Sequence, residues 1–228
     1  MARARLAGAT WLVICTVASA SAQAPVAPPA LRVYLVRHAQ AWKNVPRSER
    51  PPGMTREQLD ALTPEGREAA ERIGRTLAGA GVARVLTSPA RRARQTADGI
   101  ARGLGLEEAP VVSDALRPLD AGRDPRAADS AWRARNWSAG RDPRPEGGES
   151  LEDGLTRAER AVEELAAGQP EGAVVLVTHG EIAAALLTRA HGMRLLPGYF
   201  DAFPPEGSVR ELEVEAGGVW RLVGARRP

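Results

Sequence analysis

Leu31-Arg32-Val33-Tyr34-Leu35-Val36, running on into Arg37-His38-Ala39-Gln40, is the stretch on which the fold reading turns. Its apolar half is rich in β-forming residues, the pattern of a strand buried on both faces of a parallel sheet. The same grammar recurs downstream. Ala83-Arg84-Val85-Leu86-Thr87 leads into Ser88-Pro89-Ala90-Arg91-Arg92, and Ala173-Val174-Val175-Leu176-Val177-Thr178 leads into His179-Gly180. Helical patterns lie between these strands. Thr63 suits an N-cap and Pro64 a first helical position, after which Ala69, Ile73 and Leu77 repeat until Gly79 and Gly81. Ser88-Pro89 repeats that cap-plus-proline signal ahead of Ala93, Ala97, Ile100 and Leu104. Further helices are expected over Leu151 to Ala167 and through Ala184, Leu187 and Ala190. Strands alternating with helices predict an α/β fold, a three-layer α/β/α sandwich with a mainly parallel central sheet.

The remaining segments are placed around that frame. Pro110-Val111-Val112 is expected to be a short strand. Val209 to Val214, then Gly217-Gly218 and Val219 to Val223, reads as a closing hairpin or edge strand. Residues 118–148 carry Pro, Gly, Arg and two tryptophans without a clean period, so they read as a long surface excursion.

The N-terminus has a different character. Arg3 and Arg5 precede an apolar run from Leu6 to Ala18, and Ala20-Ser21-Ala22 offers small residues for cleavage. Residues 1–22 are therefore expected to be a secretory signal peptide, with 23–30 a Pro/Ala-rich linker and 31–228 a single domain. The expected location is periplasmic or secreted, with no stable membrane anchor after cleavage. Cys15, the one cysteine, lies inside the apolar run, which excludes a disulfide framework in the mature chain. The chain holds 31 basic against 28 acidic residues, and loss of Arg3 and Arg5 brings it close to balance. Its basicity therefore gives no ground for nucleic-acid binding.

In open α/β sheets ligands bind beyond the carboxyl ends of the strands. The strand ends here carry His38, His179 and several arginines, a set suited to an anion and most simply to phosphate. Helix starts add backbone N–H donors. Arg91 and Arg92 are adjacent on a helix and point about 100° apart, so only one should face the site squarely.

In these residues the chain resembles the histidine phosphatase superfamily, the phosphoglycerate mutase-like branch. Five stretches carry the resemblance in order: Arg37-His38-Ala39-Gln40 with Asn44, Leu62-Thr63-Pro64-Glu65-Gly66, Thr87 to Thr96, Gly147 to Ser150, and Thr178-His179-Gly180. The resemblance implies a phosphoglycerate mutase-like fold and a phosphoryl acceptor at His38. It also implies that Arg37, Arg92 and His179 hold the phosphoryl oxygens. Asn44, Gln40, Ser88, Glu149 and Gly180 are placed on the substrate side. The implied scheme needs no metal and no cofactor.

One departure bears on the chemistry. Aligning Leu116 and Gly122 with the family's Leu-x-Glu-x-x-x-Gly run puts Pro118 where a proton-donating glutamate is expected. Asp120 is the nearest replacement, with Asp114 and Glu149 behind it. Trp132, Trp137, Arg133, Arg135 and Arg141 are expected either to cover the pocket or to anchor the excursion. The expected function is an exported phosphatase that hydrolyses a phosphomonoester through phosphohistidine. The alternatives are a phosphoglycerate mutase-like phosphotransferase and a catalytically weak phospho-ligand binding protein.

Overall fold

A computed structural model describes residues 30–168 and 170–226. The expected signal peptide and nearly all of the linker lie outside the described residues. Six strands form one sheet: β1 (Leu31–Arg37), β2 (Val82–Thr87), β3 (Val111–Val112), β4 (Ala173–Thr178), β5 (Val209–Val214) and β6 (Trp220–Arg226), in the order β3-β2-β4-β1-β5-β6. β3, β2, β4 and β1 pair in parallel, and β5 and β6 complete the sheet antiparallel. Seven α-helices accompany it among the described residues: α1 (Arg56–Leu59), α2 (Pro64–Thr76), α3 (Arg91–Leu104), α4 (Ser130–Ser138), α5 (Leu151–Ala167), α6 (Gly180–Ala190) and α7 (Leu195–Ala202).

The three layers follow from strand alternation. Tyr34 and Val36 of β1, with Val175 and Val177 of β4, face Ile73 of α2 and Ala93, Ala97 and Ile100 of α3. Leu31, Val33, Leu35, Val174 and Leu176 point the other way, into a core with Leu155 and Val162 of α5 and Ile182 and Leu186 of α6. β4 is buried along its whole length, as its unbroken apolar run requires. α2 and α3 lie unusually close. A Cβ at Gly74 would come within 2.3 Å of the Ile100 carbonyl, and one at Gly103 within 2.3 Å of the Glu71 carbonyl. That contact clamps the C-terminal half of α3 against α2.

Two sequence expectations change. Ser88-Pro89 does not cap α3, which begins at Arg91 with Ala90 as its N-cap residue and no side-chain cap. The Ser88 hydroxyl is instead taken up by the Ala90 N–H at 3.2 Å and by a histidine described below. Within 118–148, Pro125–Ala128 forms a 3-10 turn and Ser130–Ser138 forms α4. Its inward face carries Arg133 alongside Trp137, so an apolar period is missing although the face is buried. Arg133 donates to the Ala127 carbonyl at 2.5 Å, and Trp137 Nε1 donates to Asp142 at 3.1 Å. Trp137 packs on Tyr199 of α7 with ring centroids 4.9 Å apart, and so anchors the excursion.

Candidate active site

The register of the sheet sets the two histidines side by side. Arg37 pairs with Thr178 and Thr87 with Val177, and the ladder continues one step beyond the strands. His38 N–H donates to the Thr178 carbonyl at 2.9 Å, and Ser88 N–H to the Val177 carbonyl at 3.0 Å. His38, Ser88 and His179 therefore meet at one edge, with the imidazole centroids 5.4 Å apart. All three are almost completely buried.

Arg92 joins them. Its Nε donates to His38 Nε2 at 3.1 Å, its NH2 donates to His179 Nδ1 at 2.7 Å, and its NH1 pairs with Asp60. A guanidinium can only donate, so both imidazole nitrogens facing it carry lone pairs. His38 Nδ1 then bears the proton and donates to the Ala39 carbonyl at 2.9 Å. His179 Nε2 donates to the Ser88 hydroxyl at 2.7 Å. Neighbouring Arg91 turns away to Glu57, so one arginine of the adjacent pair faces the site. Asp60 fixes that choice by accepting from the Arg91 N–H at 3.0 Å while holding Arg92.

Electrostatics keep both histidines neutral. Burial, reinforced by the charge of Arg92 and then of Arg37 and Lys43, lowers the His38 pKa to about 3 against the pull of its Ala39 hydrogen bond. Burial and Arg92 also push His179 well below the ordinary imidazole range. His38 Nε2 is thus an unprotonated nitrogen beside fixed cations.

Arg37 closes the other side. It donates from NH1 to the Pro204 carbonyl at 2.9 Å and from NH2 to Glu206 at 3.3 Å, and it stacks 4.9 Å over the Phe203 ring. Its Nε is buried with no hydrogen-bond partner among the described residues. Gly180 lets this corner close: a Cβ there would lie 2.5 Å from Phe203 and 3.3 Å from Arg37 Nε.

The other motif residues build the frame. Ala39 N–H donates to Thr96, whose hydroxyl donates back to the Arg92 carbonyl, tying the His38 loop to α3. Gln95 accepts from Leu62 N–H at 2.7 Å. Gln40 accepts from the Thr63 hydroxyl at 3.0 Å, and its carbonyl lies 2.1 Å from where a Cβ of Gly66 would stand. Thr63 also caps α2 through the Gly66 N–H, as its sequence position predicts. Glu149 is enclosed by Arg117, Arg157 and the Asp120 N–H. Burial opposes its ionisation, but these donors outweigh burial and hold its pKa at about 2.

The structure therefore brings Arg37, His38, Ser88, Arg92, His179 and Gly180 together, while Gln40 and Glu149 serve as struts. Asn44 is exposed, and its side chain makes no hydrogen bond among the described residues. Asp120 is exposed and accepts from the Gly122 N–H at 2.9 Å in a turn. Sequence reasoning missed Asp60, Lys43 and Glu206, whose roles arise from contacts distant in the chain. The only local signal was Asp60 standing just before Leu62-Thr63.

A neutral imidazole lone pair flanked by arginines at the C-terminal edge of a parallel sheet defines a phosphoryl-transfer pocket. The chain belongs to the histidine phosphatase superfamily (branch 1), whose family model matches residues 33–226. That superfamily includes phosphatases and mutases. It is 28% identical over 177 residues to a probable phosphoglycerate mutase GpmB of Cronobacter sakazakii, covering 74% of this chain and 77% of that protein. Among solved structures, a mycobacterial glucosyl-3-phosphoglycerate phosphatase complexed with VO3 aligns with TM-score 0.66 and 26% identity over 85% of this chain and 98% of that one. YhfR of Bacillus stearothermophilus aligns with TM-score 0.65 and 27% identity over 86% and 96%.

Proposed function

We propose that this protein is an exported phosphatase that hydrolyses a phosphomonoester through a phosphohistidine at His38. The observation that carries the reading is the Nε2 lone pair of His38, kept unprotonated and held 3.1 Å from Arg92 Nε. Nδ1–H stays on the Ala39 carbonyl while Nε2 attacks phosphorus, forming the N–P bond as the ester P–O bond breaks. A dianionic phosphoryl group repels a nucleophile, and the cations of Arg37 and Arg92 offset that charge without reorganising solvent. On binding, Arg92 moves from the imidazole lone pairs to phosphoryl oxygens, which frees Nε2 for attack. The unpartnered Nε of Arg37 supplies a further donor. His179 takes part as an Nδ1–H donor, because the Ser88 hydroxyl both donates and accepts and so serves either tautomer. Water then attacks phosphorus and releases phosphate.

Export rests on the basic start, apolar run and Ala20-Ser21-Ala22 of the N-terminus. The resemblance to a glucosyl-3-phosphoglycerate phosphatase favours a small phosphorylated substrate. A second reading, phosphoryl transfer to a second substrate, is favoured by the relatives named as probable phosphoglycerate mutases. Turnover of 4-nitrophenyl phosphate with stoichiometric release of inorganic phosphate, lost in His38→Ala, is the expected result. Turnover unchanged in His38→Ala would overturn the mechanism, and phosphate appearing on an added alcohol in place of release would favour the transferase.

A further inference from the structure

Pro118 occupies the place where an acid is expected, so the proton that an alkoxide leaving group needs must come from elsewhere. Most carboxylates around the pocket are committed. Asp60 is bound to Arg92 and to Arg91 N–H, Glu206 to Arg37, and Glu149 to two arginines. Asp120 is engaged with the Gly122 N–H in its exposed turn. Glu181 differs. It is the second residue of α6, two positions after His179, and it is half-buried. Its carboxylate makes no hydrogen bond or ion pair among the described residues.

Its surroundings locate it. Glu181 lines a cavity of about 360 Å³ with Arg133, Trp137, Tyr199, Phe200 and Phe203. Phe203 is also the ring beneath Arg37 and against Gly180, so this cavity and the phosphoryl pocket share a wall. On the pocket side, the Glu181 charge acts on Lys43, which itself acts on both His38 and His179. On the cavity side it acts on Tyr199. Glu181 thus lies between the phosphoryl pocket and the aromatic cavity that share the Phe203 wall.

Building on the phosphatase reading above, we propose that Glu181 is the proton donor to the leaving group, and that the substrate is a phosphomonoester whose ring-bearing or apolar alcohol occupies this cavity. As His38 Nε2 bonds to phosphorus and the P–O bond breaks, the Glu181 carboxyl gives its proton to the departing oxygen. The carboxylate left behind takes a proton from the water that attacks phosphorus. The N–P bond breaks, phosphate leaves, and Glu181 is again protonated. The aromatic walls favour flat or apolar groups.

The test compares Glu181→Gln with the unaltered protein in the phosphorylation step alone, read as the pre-steady-state rate at which 4-nitrophenyl phosphate and benzyl phosphate release their alcohols. Donating a proton matters most for the poorer leaving group, so in that step release from benzyl phosphate should slow by about 10²-fold or more and release from 4-nitrophenyl phosphate by about threefold at most. Glu181→Asp should give an intermediate ratio. Equal losses on both esters, or none on either, would overturn the proposal. So would a selective loss on benzyl phosphate in Asp120→Asn that Glu181→Gln lacks. Because the burst of 4-nitrophenol reports His38 phosphorylation, its persistence in Glu181→Gln separates failure of this assignment from failure of the phosphohistidine reading.

Discussion

Lowering the pH from 7 to 5 perturbs the site at its least ordinary feature, a buried histidine kept neutral. In the folded chain burial and Arg92 hold His38 at about 3, while its ordinary value is 6.5. At this position the unfolded chain therefore takes up a proton first as pH falls, so the histidine's contribution to stability rises with pH throughout this window, while the raised carboxyls of Glu159 and Glu206 act in the opposite direction. From those two values, one such histidine removes about 2 kcal/mol of stability between pH 7 and pH 5. His179 is lowered for the same reasons and acts in the same direction. The lowered carboxylates do not dominate in this window. Glu149 and Asp153 sit at about 2, and the stability they carry is lost chiefly below their ordinary values of 4.5 and 3.8. Urea unfolding followed by tryptophan fluorescence at pH 7, 6 and 5 measures the slope. His38→Gln should be less pH-dependent than the unaltered protein by about 2 kcal/mol over the same range. An unchanged slope in His38→Gln would refute the neutral buried state.

Two further perturbations separate chemistry from framework. Arg92→Lys replaces a fork that reaches His38, Asp60 and His179 with a single point charge. The turnover number on 4-nitrophenyl phosphate should fall by about 10²–10³-fold with a smaller change in KM, as loss of a transition-state donor predicts. Glu149→Gln leaves Arg117 and Arg157 without their carboxylate. It should cost about 2–3 kcal/mol at pH 7, lowering the melting temperature by roughly 5–10 °C while the residual activity still requires His38.

What was legible in the sequence was whatever local pattern encodes. The apolar runs of β1, β2 and β4 announce buried parallel strands, and the polar residues that end them bring His38, Arg92 and His179 into view. Thr63-Pro64 announces the start of α2 for an equally local reason. The rest depends on tertiary contacts. Asp60 selects Arg92 over Arg91 from 32 residues away, a relation without sequence signature. α4 escaped because an arginine sits on its buried face, satisfied by backbone carbonyls of Ala127 and Leu119. Ser88 looked like a helix cap because its chemistry fits one, but the fold places His179 Nε2 within its reach and the helix begins later. Glu181 was hidden as one polar residue at the head of a mostly apolar helix.

The central claim is that phosphate passes through His38. Mixing the protein with excess 4-nitrophenyl phosphate, quenching in base within one turnover and mapping the digest by mass spectrometry tests it directly. One acid-labile phosphoryl group should appear on the peptide containing His38 and be absent from His38→Ala. Turnover with no phosphopeptide, or with the phosphoryl group on another residue, would contradict it.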